Sequence, residues 1–321
     1  MLKPHALLLA GCLMPGLSQP GFATGSFPVT LENCGSTVTL DAAPERIFVV
    51  NADDFALLWE LDALDRVVAR TADPLENVHN EEIHAVLSDI PLIATERGAT
   101  GGSVISLEVI LSTEPDLVLA PESAVDRQLL ADAGIAMYSM PAYCEDTALI
   151  PGGTANFERV YEQLETFGLM LGEAELAAER TDARKAEVAS LATAEDGQRT
   201  AFALYVAAGG KTLYPYGARS MVTPVFAAAG LTNVYADIDD RVFEAGTEEL
   251  FGKNPDVIVL LYSDASPDNV LASFNSVPGV ENFAAVQNGR IVPLPFLFTD
   301  PPSPLSIKGA VALAEKLSTL P

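Results

Sequence analysis

One short pattern occurs twice in this sequence and constrains the fold more than any other feature. The stretches "SLEVILSTEPDLVLA" (residues 106–120) and "TEELFGKNPDVIVLL" (residues 247–261) share a polar start, an amphipathic helix, a Pro-Asp pair and an apolar run. Proline cannot continue a helix and favours an extended residue before it. The apolar run that follows is typical of a parallel strand buried on both faces. Two copies of this unit predict two similar α/β lobes.

Further stretches supply the remaining predicted elements. An amphipathic helix is predicted over residues 53–64, and the residues from Glu173 to Glu195 predict one continuous helix of ~34 Å. A helix of that length can bridge two lobes. The other strands are predicted at "ERIFVV" (45–50), "RVVAR" (66–70), "AMYSM" (136–140), "TAFALYV" (200–206) and "GRIVPLPF" (289–296).

The predicted fold class is therefore α/β, with two α/β/α lobes, mainly parallel central sheets and a single long interdomain helix. The chain has 321 residues, of which 49% are hydrophobic, and this is enough for two ordinary cores. We expect an N-terminal lobe over residues 24–154, a helical segment with the interlobe helix over 155–196, and a C-terminal lobe over 197–321.

The charge balance excludes several classes of partner. The chain carries 18 Lys and Arg against 44 Asp and Glu, a formal net charge of −26. Nucleic acids and anionic membrane surfaces select basic proteins, so neither is an expected partner. The acidity indicates a soluble surface with strong self-repulsion, and acidic patches that dock a basic partner are the alternative.

The N-terminus is typical of an export signal. The cationic start "MLKPH" precedes the apolar run "ALLLAGCLMPGL" and the small-residue context "SQPGFA", which predicts a signal peptide over residues 1–23 and a periplasmic protein. The alternative interprets "LAGC" as a lipobox that makes Cys12 a lipidated N-terminus. No later stretch has ~18 uninterrupted apolar residues, the length that spans a membrane.

Export makes the cysteine count informative. Removal of the signal peptide would also remove Cys12 and leave Cys34 and Cys144. Two cysteines in an oxidising compartment predict one disulfide bond, and two separate buried thiols remain the alternative.

The motifs of common enzymes are incomplete in this chain. "GGKT" (209–212) resembles the end of a phosphate-binding loop, but Tyr205 stands where the first glycine is required. "HNEEIH" (79–84) places its histidines five apart, off a shared helix face, and is interpreted as a polar surface segment. No G-x-S-x-G elbow is present. We expect no enzymatic activity and no resident metal or cofactor.

The order of several stretches resembles that of a known family. "ENCG", "VTLDAAPERIFVV", "LWELDALDRVVA", "SLEVILSTEPDLVLA", "AAGLTNVYAD", "PDVIVLLY" and "VQNGRIVPLP" occur in one series between about residues 28 and 318. This series resembles the class III substrate-binding proteins of ABC importers, which carry ferric siderophores, haem or vitamin B12. The resemblance implies a ligand cleft between two lobes, little hinge closure, a monomer, and an ABC permease with its ATPase as partner.

Ligand groups are expected in loops after the carboxyl ends of the strands. In siderophore-binding relatives the loop that holds Arg97 supplies an arginine to an anionic chelate, and a guanidinium suits paired oxygens. Aromatic side chains give a bulky chelate a large, stiff contact area. The candidate ligand-binding residues are Arg97, Glu122 and Ser123 in the N-terminal lobe and Lys211, Tyr214, Tyr216, Arg219, Phe296 and Phe298 in the C-terminal lobe.

The resemblance also implies one acidic residue on each lobe that docks the permease. Those positions align with Ala56 and Ala227, which are not acidic. Asp53 and Asp54 lie one turn from Ala56 and are the alternative on the first lobe.

The expected function is capture of an iron chelate, a ferric siderophore, for delivery to the permease. Haem or cobalamin binding by the same fold is the first alternative. A sensory or structural envelope protein that has lost import is the second, and the missing acidic pair is its supporting feature.

Overall fold

A computed structural model describes residues 27–97, 103–191, 199–206, 212–263 and 266–321. Short 3-10 turns connect several of the helices and strands. The strands are β1 (Val29–Asn33), β2 (Ser36–Leu40), β3 (Ile47–Val49), β4 (Val67–Arg70), β5 (Glu96–Arg97), β6 (Ser103–Val104), β7 (Leu117–Leu119), β8 (Ala136–Tyr138), β9 (Arg199–Val206), β10 (Leu213–Pro215), β11 (Leu231–Asn233), β12 (Val257–Tyr262) and β13 (Ile291–Pro295). The helices are α1 (Asp54–Glu60), α2 (Glu81–Ser88), α3 (Leu107–Leu111), α4 (Arg127–Asp132), α5 (Glu158–Leu171), α6 (Ala174–Ser190), α7 (Val222–Ala228), α8 (Thr247–Lys253), α9 (Pro267–Asn275), α10 (Ala284–Gln287) and α11 (Pro304–Ser318).

The N-terminal lobe is built on a parallel sheet with strand order β4-β3-β7-β8. Both faces of this sheet are buried, because alternate residues of a strand point to opposite sides. In β7, Leu117 and Leu119 face a core shared with α1 and α5, whereas Val118 faces a second core with residues of α3 and α4. The unbroken apolar runs in the sequence therefore form the middle layer of an α/β/α lobe.

The C-terminal lobe repeats this arrangement. Its strands follow the order β10-β9-β12-β13, and β11 pairs with β9. All of these pairs are parallel except β10 with β9, which is antiparallel. Val259 of β12 packs towards α7 and α11, and Ile258 packs towards α8 and α9. The predicted fold class is confirmed.

The sequence repeat corresponds to a structural repeat. Each copy forms a short helix, a residue with positive φ before the proline, and a buried strand; the φ values are 48° at Glu114 and 36° at Asn254. The aspartate after each proline then holds the start of the neighbouring strand. Asp116 accepts hydrogen bonds from the backbone N–H of Glu45 and Arg46, before β3, at 2.8 and 3.0 Å. Asp256 accepts from the N–H and the hydroxyl of Thr200, in β9, both at 2.8 Å.

Helices α5 and α6 form a hairpin between the two lobes. The chain reverses at Gly172, whose φ of 76° suits glycine. Gly168 brings the helices close, because a Cβ there would lie 2.3 Å from the Cβ of Ala177. The C-terminal half of α5 enters the N-terminal core through Leu164 and Phe167, and its first turn packs with Met221 and Ile307 of the C-terminal lobe.

Helix α6 carries the chain from the first lobe to the second. Ala177 lies in the N-terminal core, and Val188 packs against the cluster that contains Met221. A long linking helix is thus confirmed, but the predicted end at Glu195 is wrong. The helix ends at Ser190, and its 17 residues span about 25 Å. Leu191 leaves the helix with extended backbone and joins the same apolar cluster.

The lobes also pack directly against each other. Ala56 of α1 and Val78 of the following loop lie within the core of the C-terminal lobe. Lys308 of α11 donates a hydrogen bond from Nζ to the carbonyl of Val78 at 2.6 Å. These contacts add to the helical hairpin in joining the two lobes.

A disulfide bond between Cys34 and Cys144 fixes the N-terminal hairpin to the first lobe. The bond joins residues 110 apart, and it confirms the predicted pairing over two separate thiols. Beside it, the Asn33 side chain donates to the carbonyl of Ser139 at 2.7 Å and accepts from its N–H at 2.9 Å. The turn between β1 and β2 is thereby anchored to the chain that leaves β8, the edge strand of the sheet.

Within the described ranges, no helix combines the length and apolar character needed to cross a membrane.

Candidate functional site

Two neighbouring cavities lie between the lobes. Their volumes are about 230 and 60 Å³. Both are lined by Ala142 and Ile150 from the N-terminal side and by Arg219 and Arg241 from the C-terminal lobe. Because they share these residues, we treat them as one feature, the interlobe cleft. A larger groove of about 660 Å³ lies elsewhere, between β2 and α4 on the N-terminal lobe.

Arg241 is the central cation of this cleft. It donates a hydrogen bond from Nη1 to Asp300 Oδ2 at 2.9 Å, and its guanidinium lies 5.8 Å from the centre of the Tyr143 ring. Burial alone would lower its pKa, but the nearby Asp300, Tyr216 and Tyr143 outweigh burial and raise the pKa of Arg241. The side chain therefore stays charged. Its buried Nε has no hydrogen-bond partner among the described residues.

Asp300 holds Arg241 in place from the C-terminal lobe. The residue is 1% exposed and lies in the loop after β13. The same carboxylate oxygen that binds Arg241 also accepts a hydrogen bond from the hydroxyl of Ser220 at 3.2 Å. A buried carboxylate needs such partners, because an unpaired charge in the interior is costly.

On the N-terminal lobe, Tyr143 and Asp53 lie opposite Arg241. The Tyr143 hydroxyl donates to Asp53 Oδ2 at 2.6 Å, and Asn51 donates to the same oxygen at 3.4 Å. Burial raises the pKa of Asp53 to about 6, although both hydrogen bonds act in the other direction. Asp300 and Arg241 of the other lobe also influence this pKa, so the two sides interact electrostatically. We call Asp53, Tyr143, Arg241 and Asp300 the interlobe cluster.

Two further arginines border the cleft. Arg219 binds Asp239 through two parallel hydrogen bonds of 2.9 and 2.8 Å, a geometry that fits a guanidinium to a carboxylate. These bonds lower the pKa of Asp239. Arg159 donates to the carbonyl of Arg219 at 2.6 Å and so supports the loop that carries it.

The sequence profile of the periplasmic binding protein family matches residues 47–296. The chain belongs to this family. The family consists of solute-binding proteins that serve ABC transporters, which implies a membrane permease as partner and a location outside the cytoplasm. The resemblance found in the sequence is thus confirmed.

Three relatives of this periplasmic binding protein illustrate the likeness. The crystal structure of an ABC-type Fe³⁺-hydroxamate transport system from Saccharomonospora viridis is 38% identical, covers 92% of this chain and 100% of its own, and has a TM-score of 0.83. A cobalamin-binding protein of Halobacterium salinarum is 25% identical over 303 residues, which are 90% of this chain and 74% of that protein. An uncharacterised ABC transporter substrate-binding lipoprotein of Bacillus subtilis is 27% identical over 186 residues, 55% of this chain and 50% of that protein.

The binding protein brings some of the predicted ligand residues into the cleft. Ser123 and Arg219 line it. Glu122 lines the larger groove instead, and its carboxylate accepts a hydrogen bond from the N–H of Glu145 at 2.7 Å. The backbone of Arg97 pairs with Ser103 in a two-residue strand, and its side chain lies outside the described part of the structure. Lys211 also lies outside the described residues.

The predicted aromatic residues lie deeper in the C-terminal lobe. Tyr214 is half-buried on β10. Tyr216 is buried in the core, with its ring centre 6.3 Å from that of Phe296, and burial raises its pKa. Phe298 is buried beside Lys308, whose Nζ lies 5.6 Å from the ring centre. Tyr216 is not among the residues that line the two cavities, although it contributes to the raised pKa of Arg241.

The four residues of the interlobe cluster were not among the predicted ligand residues. Tyr143, Arg241 and Asp300 line the cavities of the cleft, and Asp53 lies behind them as the partner of Tyr143. Three of them had a usable signal, because Asp53, Tyr143 and Asp300 each follow the carboxyl end of a parallel strand, β3, β8 and β13 respectively. Arg241 lies in a loop between β11 and α8, and local sequence does not indicate its contact with the other lobe.

The proposed docking positions need correction on the first lobe. Ala56 is 5% exposed and packs against the C-terminal core, so it is no surface position. Asp53 and Asp54 are each 5% exposed and are equally unsuited to dock a partner. Burial raises the pKa of Asp54 well above its usual range. Ala227, on α7, is exposed.

The interpretation of "HNEEIH" as a surface segment is wrong for His79. This residue is 4% exposed. Its Nδ1 accepts from the N–H of Leu75 at 3.0 Å, and its Nε2 lies 3.2 Å from the carbonyl of Ala52. Burial lowers the pKa of His79 to about 4, so the ring is neutral at pH 7 and holds the loop that packs against α11.

One group of potential metal ligands occurs in the described residues: Cys34, Glu122 and Cys144. The two sulfur atoms are bonded to each other, and the Glu122 carboxylate binds the backbone at Glu145. A disulfide offers no thiolate, so this group does not form a metal site in the oxidised protein.

Proposed function

We propose that this periplasmic binding protein captures a ferric siderophore in the interlobe cleft and delivers it to an ABC permease. The observation that carries the proposal is the convergence of polar and aromatic groups from both lobes on one cavity, where Arg241 of one lobe covers Tyr143 of the other. Ligands of α/β proteins bind beyond the carboxyl ends of the strands, and the cleft occupies that position.

The choice of an iron chelate is supported by the Saccharomonospora viridis protein, which is described as an Fe³⁺-hydroxamate transport system and shares 38% of its residues with this chain. Cobalamin is a second candidate, favoured by the Halobacterium salinarum relative that is named for binding it. The iron proposal takes precedence because the Saccharomonospora viridis protein is the more similar of the two, with 38% identity against 25% over a similar share of this chain.

Loading requires the cleft to widen. Pockets for ligands of this size have volumes of roughly 300–1,000 Å³, whereas the larger interlobe cavity measures about 230 Å³. The Arg241–Tyr143 contact spans the opening, so we propose that it separates when the ligand enters. The monomer with two lobes over residues 24–154 and 197–321 is the functional unit of this proposal. Residues 1–23 serve as the export signal, and lipidation at Cys12 is the alternative.

A substitution that fills the cleft tests the proposal. Ser123 lines the cleft and is exposed, so Ser123→Trp adds bulk there without disturbing a core. Calorimetric titration of the wild type with a ferric trihydroxamate, cobalamin and haem should show saturable binding of the trihydroxamate, and Ser123→Trp should weaken it at least tenfold. Ser88→Trp, on the exposed side of α2, is the matched control and should bind as the wild type does. Binding of cobalamin alone would replace iron by the second candidate, and binding of none of the three would reject the proposal.

A further inference from the structure

Two of the three arginines that line the cleft are paired with carboxylates of the protein, and the third donates to backbone carbonyls. Arg219 donates two hydrogen bonds to Asp239, from Nε and Nη2. Its Nη1 lies 3.4 Å from the carbonyl oxygen of Thr147. Among the described residues, Arg159 donates only to backbone carbonyls, those of Arg219, Pro151, Gly152 and Gly153, at 2.6–3.1 Å. Neither guanidinium is therefore free for a ligand.

Arg241 is the most constrained of the three. Its side chain is 17% exposed and is paired with Asp300, which is 1% exposed. A ligand anion that approached Arg241 would have to compete with a buried carboxylate already in hydrogen-bond contact. Breaking such a pair leaves Asp300 charged and unpaired in the interior, which is strongly unfavourable.

Carboxylates outnumber arginines along the cleft. The described residues that line its two cavities include three arginines and four acidic residues. The acidic residues are Glu145, Glu162, Asp240 and Asp300. Asp239 and Asp53 lie directly behind this lining, as partners of Arg219 and Tyr143. The described wall of the cleft is thus not a cationic surface.

Iron chelates differ in net charge in a way that this wall can distinguish. Three hydroxamates carry one negative charge each and neutralise Fe³⁺, whereas three catecholates carry two each and leave a net charge of −3. Like charges repel more strongly when they are brought together in a partly desolvated cleft than in water. Among the described lining residues, Arg219 and Arg241 are already paired with carboxylates and Arg159 already donates to four carbonyls, so they would do little to offset the repulsion of a trianion.

We propose that the interlobe cleft selects ferric chelates that carry no net negative charge, and that the internal pairing of Arg219 and Arg241 is the cause. This inference rests on the proposed function and names the substrate class of the same site. Of the two pairs, Arg219–Asp239 is the one that a substitution can alter without exposing a buried charge, because the Asp239 side chain is 66% exposed whereas Asp300 is buried.

The test compares three chelates on the same protein. Calorimetric titrations at one fixed low ionic strength would use a neutral ferric trihydroxamate, a ferric trihydroxamate with a free ammonium group, and a ferric tris-catecholate. We expect the two hydroxamates to bind and the tris-catecholate to bind at least tenfold more weakly than the neutral chelate. The deficit should shrink as salt screens the repulsion.

Asp239→Asn identifies the cause of the selectivity. It removes the charge opposite Arg219 and should tighten tris-catecholate binding at least fivefold, with less than a twofold change for the neutral chelate. Asp182→Asn, at an exposed position of α6, is the matched control and should leave all three affinities unchanged.

The outcomes separate the two proposals. Tris-catecholate binding equal to or tighter than that of the neutral chelate would overturn the charge selection while leaving an iron carrier in place. An unchanged tris-catecholate affinity in Asp239→Asn would overturn the role of the Arg219 pair. No binding of any of the three would reject the iron-carrier function, and the charge selection with it.

Discussion

The hydroxyl of Tyr143 donates a hydrogen bond to the Asp53 carboxylate at 2.6 Å, in a region of the first lobe that Arg241 of the second lobe covers. Tyr143 follows β8 and Asp53 precedes α1, so the bond joins two separate loops 90 residues apart. The contact closes the first lobe's side of the cleft. It also places a carboxylate with a raised pKa where the lobes meet.

Asp53→Asn should stabilise the protein near neutral pH. Burial raises the Asp53 pKa from 3.8 to about 6, so between these values the folded state binds more protons than the unfolded state. The protonated Asp53 side chain therefore contributes stability that is complete below its unfolded pKa of 3.8. This stability is lost as the pH rises through its folded pKa of about 6. Relative to the wild type, the variant should gain about 2 kcal/mol of unfolding free energy between pH 4.5 and pH 7.5.

Denaturant unfolding of both proteins at the two pH values measures this difference. Asn retains an oxygen that accepts from Tyr143, so the variant keeps the bond between the loops. Asp182→Asn serves as the control and should show no such gain. A gain for Asp53→Asn that is equal at both pH values would contradict the assignment of a raised pKa.

His79→Ala should destabilise the protein, and more so at neutral pH. The substitution removes the partners of the Leu75 N–H and the Ala52 carbonyl, together with an edge contact to Phe55 at 5.9 Å. The loss should be about 2–4 kcal/mol at pH 7.5. A buried neutral histidine contributes stability above its unfolded pKa of 6.5 and loses it as pH falls towards 4.

Unfolding free energies at pH 7.5 and 4.5 test the second part. The penalty for His79→Ala should be about 2–3 kcal/mol smaller at pH 4.5, opposite in direction to the effect at Asp53. A penalty that does not depend on pH would show that His79 does not change its charge in this range.

Replacing both cysteines should cost substantial stability. The Cys34–Cys144 bond closes a segment of 110 residues, and the chain-entropy relation gives about 5 kcal/mol for a loop of this size. Cys34→Ser/Cys144→Ser should therefore show that loss in denaturant unfolding. Thiol counting on the unreduced, unfolded chain that begins at Thr24 should find no free thiol, and two thiols would refute the bond.

Gly168→Ala should disturb the helical hairpin. The new Cβ would lie 2.3 Å from the Ala177 Cβ, so α5 and α6 would have to separate. Overpacking of this kind reduces stability by roughly 1–3 kcal/mol. Ala177→Gly should restore much of that loss, because it vacates the same space, and a double-mutant cycle of unfolding free energies measures the coupling. Additive effects would mean that the helices do not meet at these two residues.

Much of the fold follows from local patterns. The repeated Pro-Asp unit and the buried strands are found where the sequence indicates them, because each has a local physical cause. The cysteine pair was predicted from the count of cysteines that remain after export, since its two residues lie 110 apart. The predicted end of the linking helix was wrong because composition alone favours continuation past Ser190. Leu191 instead packs into an apolar cluster formed with Met221 and Ile307. That cluster depends on contacts between distant parts of the chain.

The cleft was less predictable than the fold. Of the candidates chosen from loops after strand ends, Ser123 and Arg219 line the interlobe cleft, and their role in ligand binding stays a prediction. The aromatic candidates proved harder, since Phe298 has the same loop setting but turns into the core. Direction of a side chain in a loop is set by its packing partners, and these are not neighbours in sequence.

The sequence by itself determined the two α/β lobes, because helix stops, buried strands and a repeated unit depend on residues close together in the chain. Tertiary structure alone decided which charges meet. His79 and Asp53 are both buried, and each is held by a residue distant in sequence, His79 by the carbonyl of Ala52 and Asp53 by the hydroxyl of Tyr143. Pairing of Arg241 with Asp300 joins residues 59 apart. Such pairs form only in the folded chain, so no local pattern records them.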